Sequence, residues 1–266
     1  MTTITFLTDF GLQDDFVGTC HGVIALIAPD ARVIDITHGI PPQAILQGAL
    51  VLRSTMKYMP VGVHLAVVDP GVGGHRRAIA VRTADGRSFV GPDNGLLMLA
   101  ADELGIEGAH ELADPSYRLP EVSRTFHARD VFAPAAAHLA AGVAIDQLGP
   151  AIEPSELVRI DVPAPSVGKS QISATVVGVD RFGNVATNMQ DAHVRSLGVA
   201  RGDRVEVRLT FERYYATLAD TFADAAAGEL ILYEDSYGLV TLAISNGNAA
   251  RLTGVGVGDE LRIALA

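Results

Sequence analysis

The segment at residues 69–76 has the sequence DPGVGGHR, and it follows an apolar run at residues 63–68 that is typical of a buried strand. Asp69 therefore stands where a strand ends, and a loop with three glycines and two arginines, Arg76 and Arg77, comes after it. Enzymes with α/β folds place reactive groups in this way at the open edge of a sheet. The segment alone is equally compatible with a tight turn that carries a surface ion pair.

The first part of the chain alternates between strand and helix patterns, which predicts a mainly parallel sheet with right-handed crossovers. Asp14 is a plausible cap for the first helix, and Pro41 or Pro42 is expected to open the second. Predicted strands lie at residues 3–7, 31–36, 63–68, 78–83 and 88–90, and predicted helices at 15–27, 42–58, 96–104 and 131–141.

The pattern changes after residue 153, where three prolines interrupt a stretch with little helical periodicity. Short strand patterns follow at residues 172–179, 203–210, 229–233, 239–244 and 260–264. This spacing is typical of a small barrel or sandwich. We therefore predict an α/β protein with an α/β catalytic domain at 1–160, a linker at 161–170 and a small antiparallel β-barrel domain at 171–266.

Composition excludes several classes of function. The 266 residues carry a formal net charge of −11, which argues against nucleic acid or an anionic membrane as the main partner. Cys20 is the only cysteine, so no intramolecular disulfide can form and nothing suggests zinc. No targeting segment and no apolar run of membrane-spanning length is evident, so we expect a soluble cytoplasmic protein without a metal or cofactor.

Polar groups end three predicted strands of the first domain, at Asp9, His38 and Asp69. In a parallel sheet these ends share one edge, where ligands bind. The Asp9 carboxylate could accept hydrogen bonds from a ribose diol, or it could simply stabilise a turn. His127 lies in a polar loop with Arg129 and Asp130 beside it, which distinguishes it from the other, isolated histidines.

Six segments together resemble the SAM hydroxide adenosyltransferase family, whose members form adenosine from S-adenosylmethionine and which is related to fluorinating and chlorinating enzymes. Each segment is weak by itself, but the six occur in the family's order over nearly the whole chain. They are TDFG at 8–11, VDPGVG at 68–73, GPDNG at 91–95, FHARD at 126–130, DRFGN at 180–184 and NGNAA at 246–250.

The resemblance implies a reaction in which water or hydroxide attacks the ribose C5′ of S-adenosyl-L-methionine. The family's catalytic trio would fall on Asp69, Arg76 and His127, with Arg76 chosen over Arg77 from loop spacing alone. The resemblance also implies a homotrimer with sites between subunits. Further substrate-binding residues that it implies are Asp9 for the ribose; Asp14, Asp180, Asn184 and Ser236 for the methionine end; and Phe182, Phe222, Ile244 and Asn246 for adenine.

Two positions depart from the halogenating relatives. Tyr237 stands where those enzymes carry an arginine for the substrate carboxylate, and Gln43 stands where they place a tryptophan over the ribose. The presence of all three trio residues favours hydrolysis over halide-dependent adenosyl transfer. A protein that binds S-adenosylmethionine or adenosine without turnover stays an alternative, although a pure binder would not need the trio. A phosphate-binding loop is disfavoured because neither of its common glycine motifs is present.

Overall fold

The computed structural model describes residues 2–266, which form two compact units with a boundary after Ile160. No helix among these residues has both the length and the apolar character that crossing a membrane requires. The first unit contains a sheet in the order β2-β1-β3-β5-β4-β6-β7. Its strands are β1 (Thr3–Thr8), β2 (Arg32–Thr37), β3 (Val63–Val67), β4 (Ala78–Thr83), β5 (Ser88–Pro92), β6 (Ile106–Glu111) and β7 (Ala151–Ile152).

The central strands of this sheet are parallel, as predicted. β2, β1, β3 and β5 pair in parallel, whereas β4 runs against β5 and β7 runs against β6. Because β6 is antiparallel to β4, it points in the same direction as the parallel strands. The carboxyl ends of β1, β2 and β3 therefore open on one edge, and Asp9, His38 and Asp69 follow these three ends.

Helices cover both faces of the sheet. The helices are α1 (Phe16–Ile27), α2 (Ile45–Thr55), α3 (Met98–Leu104) and α4 (Ala133–Ala140). Alternate residues of β3 point to opposite sides, so that Leu65 packs in the core with α1 and α4 while Ala66 packs in the core with α2 and α3. Burial on both faces explains why β3 is apolar throughout, which is the pattern that made it predictable.

The second unit is a closed barrel. Its strands are β8 (Ser166–Val167), β9 (Gln171–Val179), β10 (Val185–Thr187), β11 (Arg204–Arg208), β12 (Arg213–Leu218), β13 (Leu230–Glu234), β14 (Val240–Ile244) and β15 (Glu260–Leu265), with short helices α5 (Asp191–Arg195) and α6 (Ala249–Thr253). The order β10-β14-β13-β12-β11-β15-β9 closes because β9 also pairs with β10. One pair, β12 and β13, is parallel, because the chain between them crosses over instead of forming a hairpin.

Several predicted boundaries are wrong for local reasons. Asp15, not Asp14, precedes α1. Helix α2 begins only at Ile45, because Gln43 adopts a positive φ of 66° that a helix does not tolerate. A π-helical turn, Ala128–Phe132, precedes α4 where an α-helix was expected. β8 lies within the predicted linker and pairs with β9.

Candidate active site

The glycine-rich loop after β3 packs against the chain segment that leads to His127. Gly73 has a φ of 75°, and a Cβ atom placed on it would lie 2.3 Å from the carbonyl oxygen of Arg124. No other residue fits such a position without a shift of the backbone. The loop therefore brings the end of β3 and the segment before His127 together, although they are far apart in sequence.

Asp69, Arg76 and His127 form one hydrogen-bonded group. Arg76 Nε donates to both carboxylate oxygens of Asp69 at 3.0 Å, and its Nη2 donates to Oδ2 at 2.5 Å. The same Nη2 lies 2.9 Å from His127 Nδ1. The side chains of Asp69 and Arg76 are only 5% and 11% exposed, so that solvent screens this ion pair weakly.

The contact with arginine fixes the tautomer of His127. A guanidinium can only donate, so His127 Nδ1 accepts and the imidazole proton sits on Nε2. Burial lowers the pKa of His127 below its usual value, and the charge of Arg76 lowers it further. The neutral ring consequently offers Nε2–H as a donor to a ligand.

The π-helical turn Ala128–Phe132 holds His127 and Arg76 in place. Asp130 is fully buried, and it accepts hydrogen bonds from the Ser123 amide and from the Arg129 guanidinium. Phe132 lies under Arg76, with the guanidinium carbon 5.2 Å from the ring centroid. Such turns insert one extra residue into a helix and are frequent at functional sites.

The GPDNG segment at 91–95 secures the chain on both sides of the ion pair. Asn94 Nδ2 donates to the Val68 carbonyl at 2.9 Å, directly before Asp69. Asp93 is buried and pairs with Arg77, whose Nε lies 2.8 Å from Asp93 Oδ2. Arg77 thus faces away from the Asp69 group, and Arg76 alone of the two arginines contacts it.

The other two predicted site residues of the first unit, Asp9 and Asp14, differ from each other in their surroundings. Asp9 follows β1, and its Oδ2 accepts a hydrogen bond of 2.9 Å from the Gln43 amide. The positive φ of Gln43 thus presents its backbone, not its side chain, to Asp9. Asp14 is exposed in the loop before α1.

In the second unit, Asp180 and Asn184 close one turn. Asp180 Oδ1 accepts from the amides of Phe182 and Asn184, and its Oδ2 accepts from Asn184 Nδ2 at 2.7 Å. This geometry is an Asx-type turn. It leaves Phe182 on the surface with 75% of the residue exposed.

Tyr233, which the sequence did not single out, links the other predicted residues of the second unit. Its ring lies 4.9 Å from that of Phe222. Burial raises the pKa of Tyr233 to about 12, and the nearby carboxylates of Asp235 and Asp180 add to the effect. Asp180, which begins the turn at 180–184, and Asp235, which precedes Ser236, therefore both lie near this tyrosine.

The predicted adenine-binding positions are also joined within the second unit. Ser245 Oγ donates to the Phe222 carbonyl at 3.2 Å, which ties Phe222 to the turn after β14. Ile244 is buried at the end of β14, and Asn246 has a φ of 56°. Ser236 and Tyr237 are exposed in a turn that Asp235 stabilises by accepting from the Tyr237 amide.

The Asp69 group has a clear chemical capacity. Its carboxylate is bound to a cation, which suits it to hold an uncharged or anionic oxygen species and not a metal ion. Remaining carboxylate lone pairs can accept from a water molecule, while His127 Nε2–H can donate to it. The group can thereby orient one water and stabilise hydroxide character on its oxygen.

Comparisons with known proteins cover both units of the chain. Family models for the SAM hydroxide adenosyltransferase N-terminal and C-terminal domains match residues 4–149 and 174–262. The chain is 48% identical to an (R)-S-adenosyl-L-methionine hydrolase of Salinispora tropica, over 98% of this chain and 97% of the relative. It is 30% identical to a fluorinase of Actinopolyspora mzabensis, over 94% and 91% of the two chains.

Among solved structures, an uncharacterized conserved protein from Thermotoga maritima superposes with a TM-score of 0.89 at 37% identity. That likeness covers 98% of this chain and 99% of the other. Both domain models and the near full-length relatives cover the two units in the same order. The chain belongs to the SAM hydroxide adenosyltransferase family.

Proposed function

We propose that this protein hydrolyses S-adenosyl-L-methionine to adenosine and L-methionine. The observation that carries the proposal is the Asp69–Arg76–His127 group, whose charged and polar side chains can hold and orient a water molecule. Its hydrolase relatives are also more similar in sequence than the fluorinase.

In the proposed step, the water oxygen forms a bond to the ribose C5′ as the C5′–sulfur bond breaks. The bonding pair stays on sulfur, so that the sulfonium becomes the neutral thioether of methionine and needs no general acid. One proton leaves the water. Asp69 accepts it and later releases it to solvent. Arg76 and the Nε2–H of His127 stabilise the negative charge that develops on the attacking oxygen.

A second version of this mechanism uses a hydroxide ion taken from solvent. In that version Asp69 only orients the nucleophile and takes no proton, while it keeps its hydrogen bonds to Arg76. The two versions differ in the rate at high pH. Capture of free hydroxide predicts a rate that rises with pH, whereas deprotonation by Asp69 predicts a plateau above the pKa of the base.

The substrate contacts are part of the proposal. Asp9 would bind the ribose diol, and Phe182 and Phe222 would pack on adenine with the backbone of Ile244 and Asn246. Asp14, Asp180, Asn184 and Ser236 would bind the ammonium and carboxylate of the methionine end. Tyr233, which contacts Phe222 and lies near Asp180, would border the same ligand. S-Adenosylmethionine enters as substrate, and no cofactor is proposed.

Product chromatography tests the function. The purified protein is incubated with S-adenosylmethionine in halide-free buffer, and then in buffer with chloride or fluoride. We expect adenosine and methionine in equal amounts under all three conditions. A 5′-halogenated adenosine would instead support halide-dependent transfer, and calorimetric binding without any product would support a binding protein. The Asp69→Ala variant should lose turnover, and wild-type turnover in that variant would overturn the proposed roles.

The homotrimer and the cytoplasmic location are proposals that rest on the resemblance and on the sequence. The resemblance implies sites between neighbouring subunits, and on that proposal activity per chain should fall when the trimer dissociates. Sedimentation and activity measured over one dilution series test this. Full activity of a monomer would contradict it.

A further inference from the structure

A cluster of potential metal ligands lies on the first unit, outside the Asp69 group. His21 on α1, Asp35 on β2 and His38 just after β2 each direct one ligand atom toward a common space, and these atoms lie within 4.8 Å of one another. The cluster depends on tertiary packing, because His21 and Asp35 are 14 residues apart. This explains why the sequence predicted no metal.

One carboxylate oxygen is shared by the two imidazoles. Asp35 Oδ1 lies 2.9 Å from His21 Nε2 and 3.1 Å from His38 Nε2. His38 is 95% buried, yet its Nε2 makes no hydrogen bond of acceptable geometry with any described residue. A buried ring nitrogen without a hydrogen bond is unfavourable, and this one lies close to both the carboxylate and the second imidazole, where a metal ion would give it a partner.

The other ring nitrogen of His38, Nδ1, already has a hydrogen-bond partner. It lies 2.8 Å from Thr8 Oγ1, a hydroxyl that can accept the Nδ1 proton. That tautomer leaves the lone pair on Nε2, and outer hydrogen bonds of this kind fix the ligating rings of metal-bound histidines. The Phe6 ring packs against both imidazoles, with centroids 5.9 Å from His21 and 4.9 Å from His38.

We propose that His21, Asp35 and His38 bind one divalent transition-metal ion of the Zn²⁺ type. Two imidazoles and one carboxylate suit Zn²⁺ and disfavour Mg²⁺ or Ca²⁺, which prefer oxygen ligands. Asp35 and His21 are partly exposed, so a metal ion can enter from solvent and keep a water as fourth ligand.

Metal binding would also steady the segment that contains Asp9. The His38 carbonyl accepts a hydrogen bond of 2.8 Å from the Gly11 amide, and Thr8 Oγ1 accepts one from Phe10. The first contact comes from His38 itself, and the second comes from Thr8, whose hydroxyl contacts the His38 ring, so both connect the chain around Asp9 to the proposed ligand. Occupancy should therefore raise thermal stability, whether or not the protein acts on S-adenosylmethionine.

Calorimetric titration of untagged, metal-stripped protein with Zn²⁺ tests the site. We expect one equivalent bound per chain and a higher melting temperature with Zn²⁺. The exposed ligands are replaced in His21→Gln and Asp35→Asn, which should each weaken binding at least about tenfold. His138→Gln, a change in a half-buried histidine outside the cluster, should bind like wild type. The absence of saturable binding, or equal binding by the ligand variants, would overturn the proposal.

Discussion

Replacing Arg76 by lysine separates the charge of this residue from its geometry. Lysine keeps a positive charge near Asp69 but lacks the planar fork that reaches Asp69 and His127 together. We count only the bond to His127 as lost, because the ammonium group of lysine can still pair with Asp69. A hydrogen bond with a charged partner contributes about 1.5–3 kcal/mol, so that a loss of about 2 kcal/mol should lower kcat/KM roughly 30-fold.

Adenosine formation at low substrate concentration measures this change, and circular dichroism melting shows whether the variant is folded. Arg159→Lys is the matched control, because Arg159 also forms a two-bond pair, with Asp102, at 2.9 Å for each bond. That pair is about half exposed and lies apart from the Asp69 group, so kcat/KM should change less than about twofold. Unchanged kcat/KM in Arg76→Lys, or an equal loss in Arg159→Lys, would refute the reasoning.

Three further predictions concern protonation and backbone geometry. Because burial lowers the pKa of His127 below 6.5, protonation of this ring should reduce kcat/KM only at more acidic pH, and an inflection above 6.5 that disappears when His127 is replaced would contradict this. Gly73→Ala should reduce activity and melting temperature more than Gly142→Ala, since both have positive φ but only the first places a Cβ against another segment. Burial lowers the pKa of His64 to about 3, whereas this histidine has a pKa near 6.5 in the unfolded chain. Between pH 6.5 and pH 3 the unfolded chain therefore binds more protons than the folded protein, and the free energy of unfolding falls as the pH drops through this range. Lowering the pH from 6.5 to 5 should therefore cost wild type about 2 kcal/mol more than His64→Gln in chemical unfolding, and equal losses would contradict the assignment.

The fold was largely predictable because its signals are local. β3 is an unbroken apolar run, and the barrel strands recur at short, regular intervals, so that the α/β and β-barrel classes are confirmed. The errors have equally local causes. β6 contains glycine, histidine and two glutamates and shows little strand character in isolation, and the late start of α2 depends on the positive φ of Gln43.

The candidate site was predictable only in part. Asp69 and the glycine loop are visible in the sequence, but the link to His127 spans 51 residues and came from the resemblance. Arg76 and Arg77 are adjacent in sequence just before β4. Neighbouring side chains of an extended chain point to opposite faces, so Arg76 contacts Asp69 while Arg77 contacts Asp93. Tyr233 could not be identified, because its neighbours come from three separate connections of the barrel.

The central claim is that a solvent oxygen becomes bonded to the ribose C5′. Turnover of S-adenosylmethionine in ¹⁸O-labelled water, followed by mass spectrometry of the nucleoside, tests it most directly. The account predicts adenosine that carries one ¹⁸O atom at its 5′ oxygen, with unlabelled methionine released alongside. A nucleoside product without the label, or one that still carries the substrate's sulfur, would contradict it.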